Sequence, residues 1–247
     1  MRPQLWVIAG PNGAGKSTLA DRYLAGRIPV INPDNIAFEQ PGIGPGRAGR
    51  LAIERQREHL LKRESFGWET TLSGHRELAL MREARDAGYK VNLVFIGVRD
   101  PGLSMLRITE RVAAGGHTVP ASDVARRFER SLGNLPDAMA LADRTLILDN
   151  SEKRRRLVLV RERDHSRYRS KSMPQWLQSR LPAEMSTLER LRVKVEQRAG
   201  ELAAERERER PAREIAQERE GAQEKQRDLE RQEQRTQTRK KDHGLEP

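Results

Sequence analysis

The sequence predicts an α/β fold: an open, parallel, five-stranded sheet with helices on both faces. Two observations carry this reading. Short β-branched runs alternate with longer amphipathic stretches, and the first run breaks into a glycine-rich loop that opens a helix. Such alternation implies right-handed crossovers between parallel strands.

The first strand is read in "LWVIAG", and the segment that follows, Gly10, Pro11, Asn12, Gly13, Ala14, Gly15, Lys16 and Ser17, fits G-x-x-x-x-G-K-[ST] at every position. Strand before and helix after is the context in which this pattern binds polyphosphate. Several backbone N–H groups must point at one anion, so the loop needs conformations and close approaches that side chains block. The helix opening near Lys16, with Ser17 and Thr18 in its first turn, adds its positive dipole end. Lys16 is expected to bridge the β- and γ-phosphates of ATP, and the Ser17 hydroxyl to ligate Mg2+.

Later strands are read in "IPVINPD", "FGWETTLSG", "YKVNLVFIGV" and "RTLILDNS", with "RRLVLVRER" as a further edge strand. Helical patterns lie between them in "KSTLADRYLAG", "RAGRLAIERQREHLLKRE" and "RELALMREARDAG". Two more helices flank a Gly-Gly-His hinge at His117 and bring Arg107, Arg111, Arg126, Arg127 and Arg130, a pattern expected of a mobile lid whose arginines meet developing phosphate charge. At most three of the five are expected to act.

In an open parallel sheet, ligands bind beyond the carboxyl ends of the strands. Three acids end strands there. Asp34, in "INPDN", suits a general base or a metal-shell role slightly ahead of an Asx-turn. Glu69, in "ETT", suits orientation of an acceptor or of a magnesium-bound water, and equally a helix cap. Asp149, in "DNS", reads best as turn chemistry. The fourth strand has no acid until Asp100, so an acidic strand end of the usual ATPase kind is not evident there.

The chain has 247 residues, no cysteine and a formal charge of +11. Residues 183–247 hold 16 Lys/Arg and 16 Asp/Glu, whereas the first 182 hold 31 and 20. The whole excess therefore lies with the phosphate loop, where a nucleotide and a phosphorylated co-substrate would use it; nucleic acid ranks second as a partner. A kinase domain is expected over 1–182 and a charged helical or disordered tail over 183–247, since apolar positions nearly vanish beyond Leu202. The absence of cysteine and of any long apolar run points to a cytoplasmic protein with no membrane partner.

Together "AGPNGAGKST", "NPD", "ETTLSG", "ERVAAGGHTVP" with "RFERSLGNL", "ADR" and "DNS" resemble the zeta-toxin family of P-loop kinases, in the branch often labelled predicted ABC-type ATPases. The resemblance spans residues 5–151. It implies an ATP-dependent kinase that phosphorylates a hydroxyl of a nucleotide sugar such as UDP-N-acetylglucosamine, acting as the toxin of a toxin–antitoxin pair with a proteinaceous antitoxin. Carried over, Lys16 and Ser17 serve phosphate and metal, Asp34 is the base, Glu69 and Thr70 lie in the acceptor pocket, and Arg111 and Arg127 are the lid arginines. Rival readings are a polynucleotide or other nucleotide kinase and a non-catalytic ATP-binding partner module.

Overall fold

The computed structural model describes residues 2–40, 42–116, 118–163 and 165–181. The predicted tail over 183–247 and His117 lie outside the described residues. Strand β1 (Gln4–Ala9) leads through the glycine loop into α1 (Lys16–Tyr23). After β2 (Val30–Ile31) come two helices, α2 (Pro33–Glu39) and α3 (Pro45–Lys62), before β3 (Phe66–Thr70). The chain continues through α4 (His75–Asp86), β4 (Lys90–Gly97), α5 (Pro101–Ala113), α6 (Ala121–Leu141) and β5 (Arg144–Asp149). It closes with β6 (Arg156–Glu162), β7 (His165–Arg169) and α7 (Gln175–Gln178).

The sheet order is β2-β3-β1-β4-β5-β6-β7. The first five strands are parallel, as expected, and β6 and β7 extend the sheet by antiparallel pairing. The "RRLVLVRER" run is thus an inner strand, with β7 as the edge. From β1 the chain moves outward on one side to β2, and later on the other side to β4. The end of β1 is therefore the point where strand order reverses, the place such sheets keep for a ligand.

Burial explains why the apolar runs became central strands. Every residue of β4 from Val91 to Gly97 is buried, which requires cover on both faces. Helices α4 and α6 pack on each other and against β4, and α1 packs against β1 and β3. Leu5, Val7 and Ile8 of β1 are fully buried, each contributing about 1.5–3 kcal/mol. Among the described residues no helix is long and apolar enough to cross a membrane.

One local reading changes. The stretch read as a strand running into Asp34 pairs with β3 only over Val30 and Ile31. Asn32 then caps α2, its side chain accepting a hydrogen bond from the Asp34 N–H at 2.9 Å, and Pro33 fills the first helical position. Both are helix-start signals that outweigh strand continuation. Asp34 lies in the first turn of a helix, not at a strand end.

Candidate active site

The loop after β1 has the conformations its glycines predict. Gly10, Gly13 and Gly15 have φ of 139°, 71° and 89°. A Cβ on Gly10 would collide with the Ile96 carbonyl of β4, and one on Gly13 would stand 2.8 Å from the Ser104 carbonyl oxygen of α5. The loop is thus pressed against β4 and α5 with no room for side chains on that side. Ala14 is buried, and its N–H donates to the Pro11 carbonyl at 3.3 Å.

Lys16, the first residue of α1, is buried and folds back across the loop to donate from Nζ to the Pro11 carbonyl at 3.1 Å. Burial lowers its pKa; the Glu69 and Asp34 carboxylates oppose that shift and Arg111 adds to it. Ser17 donates from Oγ to Glu69 Oε1 at 2.8 Å, and Asn32 donates from Nδ2 to Glu69 Oε2 at 2.9 Å. Asn32 therefore acts twice, capping α2 with one end of its amide and holding Glu69 with the other. Glu69 is only 9% exposed, and burial raises its pKa against the opposing pull of Lys16, Ser17 and Asn32.

This geometry follows from strand register. Glu69 pairs with Ile8 in the parallel ladder, so it stands beside the end of β1 where the loop begins. The acid that meets the loop comes from β3, on the opposite side of β1 from the fourth strand, where an ATPase-like acid is lacking.

A cleft of about 730 Å³ opens over these groups. Asn12, Gly13, Gly15, Lys16, Ser17 and Thr18 line it from the loop and α1, Asp34 from α2, and Glu69 and Thr70 from β3. Gly10, Pro11 and Ala14 shape the loop from behind and do not line the cleft. Of the five lid arginines, Arg107 and Arg111 of α5 and Arg127 of α6 reach it. Arg126 and Arg127 both pair with Asp123, at 2.7 and 3.4 Å, but Arg126 and Arg130 are exposed and do not line the cleft.

Asp149 is buried but does not line the cleft. Its carboxylate accepts from the Ser151 N–H and hydroxyl, the Trp176 indole N–H and the Arg156 guanidinium. Beside it, Asn150 donates from Nδ2 to the Ala14 carbonyl at 2.9 Å and so braces the phosphate loop from β5. Asn150 was not singled out from the sequence, although "DNS" ends a strand facing that loop. A second brace holds the turn after β3. Leu72 there has a φ of 56°, and Asn134 of α6 donates to the Leu72 and Gly74 carbonyls at 3.0 and 3.3 Å. No local signal marks either contact.

No family model matches the sequence. An uncharacterized protein of Haemophilus influenzae is 32% identical over 139 residues, covering 52% of this chain and 99% of that protein. The chain belongs to that protein's family. Among solved structures, a chain of the AvrRxo1-ORF1:AvrRxo1-ORF2 complex with sulphate ions superposes with a TM-score of 0.56 at 17% identity. The match covers 70% of this chain and 65% of that one, under two thirds of its length. The same complex with ATP gives 0.52 at 18% identity, covering 64% and 58%. A chain of the PezAT chromosomal toxin-antitoxin system of Streptococcus pneumoniae gives 0.53 at 20% identity, covering 81% and 87%. These likenesses show that the chain shares its fold with the AvrRxo1-ORF1:AvrRxo1-ORF2 and PezAT chains.

Proposed function

We propose that the chain is a kinase that transfers the γ-phosphate of ATP to a hydroxyl of a small molecule. The observation that carries this reading is the convergence, in one cleft, of a backbone phosphate nest, a buried lysine, the carboxylates of Asp34 and Glu69 and the lid arginines Arg107, Arg111 and Arg127. The finer reading is that the acceptor is a nucleotide sugar such as UDP-N-acetylglucosamine, and that the chain is the toxin of a cytoplasmic toxin–antitoxin pair whose antitoxin is a protein. It is supported by the fold shared with the PezAT chain and by the sequence motifs; an ATP-bound neighbour of the same fold supports ATP as donor.

Mg2+ fits this corner. The Ser17 hydroxyl and the Glu69 carboxylate are hard oxygen donors side by side, and magnesium is commonly held by one or two carboxylates together with substrate phosphates. Among the described residues no group of three or more His, Cys, Asp or Glu gathers into an all-protein metal cage. When bound, the ion neutralises charge on the β- and γ-phosphates.

The chain's own groups would do the following. The loop amides and Lys16 hold the donor phosphates and offset charge that builds in transfer. Ser17, Asn32 and Glu69 form a hydrogen-bonded bracket that keeps the metal-side oxygens in place. Asp34 takes the proton of the acceptor hydroxyl as its oxygen bonds to the γ-phosphorus and the bond to the ADP oxygen breaks. Arg111 and Arg127 approach from the lid helices, where closure would exclude water.

The test is to incubate the pure chain with labelled ATP, Mg2+ and either UDP-N-acetylglucosamine or a bacterial metabolite extract, and to identify the phosphorylated product by mass spectrometry. Asp34→Asn is expected to bind ATP as the wild type does in calorimetry while losing about 10²-fold or more in turnover. Absence of any product from the wild-type chain would refute the kinase reading.

A further inference from the structure

One wall of the cleft belongs to α3, which presents Gly46, Gly49, Arg50, Ile53 and Gln56 along one face at three- and four-residue spacings. Two features of that wall have no explanation within the protein. Glycine is the least favourable residue in a helix interior after proline, yet Gly49 lies there and Gly46 in the first turn, and a Cβ at either would meet nothing within 4 Å. Among the described residues nothing closes on either glycine; what they leave is bare helix backbone. The second feature is Gln56, only 1% exposed, whose Oε1 is buried with no hydrogen-bond partner among the described residues. An unpaired buried amide oxygen is costly in a folded protein and asks for a donor. Gly46, Gly49 and Gln56 all line the cleft, and Arg50 and Arg76 add positive charge to it.

We propose that this α3 face is the recognition wall for the acceptor, and that Gln56 sets specificity by receiving a hydrogen bond from an N–H or O–H of an anionic acceptor lying over the bare backbone at Gly46 and Gly49. The inference rests on the kinase reading above. Gln56 touches the body of the acceptor and takes no part in moving the phosphoryl group. A site built around such a hydrogen bond rejects analogues that lack the donor, because the buried oxygen is again left unpaired.

Two substitutions in the full chain separate recognition from structure. Gln56→Leu keeps the volume and removes the orphan amide, and Gly49→Ala adds one methyl to the cleft side of a helix. Each is expected to leave Tm equal to or above the wild type, since an unpaired polar group or a helix glycine has been removed. Each is expected to raise the acceptor KM, by about tenfold for Gln56→Leu, with the ATP KM unchanged. The acceptor probe is UDP-N-acetylglucosamine or, if it gains no phosphate, the extract compound that does. Wild-type turnover with an unchanged acceptor KM in Gln56→Leu would overturn the assignment while leaving the kinase reading intact. An equal rise in both KM values together with a lowered Tm would also overturn it, by showing a packing role. No product from the wild-type chain would overturn both.

Discussion

Two acids stand at strand ends in this chain, Glu69 at the end of β3 and Asp149 at the end of β5, and the fold gives them opposite settings. Both are buried, and each carboxylate oxygen accepts at least one hydrogen bond. Asp149 is met by a guanidinium, an indole N–H and the N–H and hydroxyl of its own turn, so its negative charge is matched within the protein. Glu69 receives only two neutral donors, Ser17 and Asn32, and burial outweighs the nearby Lys16 in setting its protonation. One acid is a latch that ties β5 to β6 and α7. The other is held in an unfavourable environment at the mouth of a phosphate loop, where a cation arriving with a nucleotide would relieve it. Perturbed carboxylates of this kind mark functional sites more often than satisfied ones do.

The largest effect should come from breaking this contrast at Glu69. Glu69→Gln keeps the shape and removes the charge: its amide oxygen can still accept from Asn32, while its N–H₂ faces Ser17, whose hydroxyl can turn to accept, and turnover is expected to fall by about 10²-fold, in the range for loss of one preorganised electrostatic group. Stability should move the other way. The folded state raises the pKa of Glu69 above the ordinary value of 4.5. Stability from this group is therefore complete below that value and is lost as pH rises through the folded pKa. Thermal denaturation across mildly acidic to neutral pH should show the wild type losing ground to Glu69→Gln as pH rises. A variant with lower Tm at neutral pH would place Glu69 with Asp149 as a structural acid.

The reciprocal substitution sharpens the comparison with a smaller effect. Asp149→Asn turns an amide N–H₂ toward donors that need an acceptor. It should cost about 1–3 kcal/mol of stability, visible as a Tm lower by several degrees, with turnover per folded molecule close to wild type. A large loss of turnover without loss of stability would show that Asp149 takes part in the reaction.

What could be read from the sequence follows the range of the interactions involved. The phosphate loop was legible because eight consecutive residues determine it, and the central strands were legible because burial on both faces demands continuous apolar runs such as "VNLVFIGV". The edge strand β7 was not, since "HSRYR" is exposed and carries no apolar alternation to mark it. Helix α2 was missed although Asn32 and Pro33 are a cap and a first-turn residue, because the apolar run before them suggested that the strand continued. The bond from Ser17 to Glu69 depends on the register that sets Ile8 beside Glu69, and the two residues are 52 positions apart. Of five candidate lid arginines, only placement on the helix faces could show which three face the cleft.

The smallest predicted effect lies between the two strand ends. Asn150 follows the satisfied acid but serves the phosphate loop, donating to the carbonyl of Ala14. The loop turns several amides toward one point, an arrangement that is electrostatically unfavourable until an anion fills it, so a tether on its outer side should help to hold it ready. Asn150→Ala removes one hydrogen bond of ordinary strength and should weaken ATP binding by about three- to tenfold in calorimetry. Asn150→Asp should weaken it further, because a carboxylate would then face a carbonyl oxygen and stand close to the incoming phosphates. The order Asn, Ala, Asp in falling affinity is the signature of a donor acting on the loop. Equal affinity for all three would show that the glycine loop keeps its shape by its contacts with β4 and α5 alone.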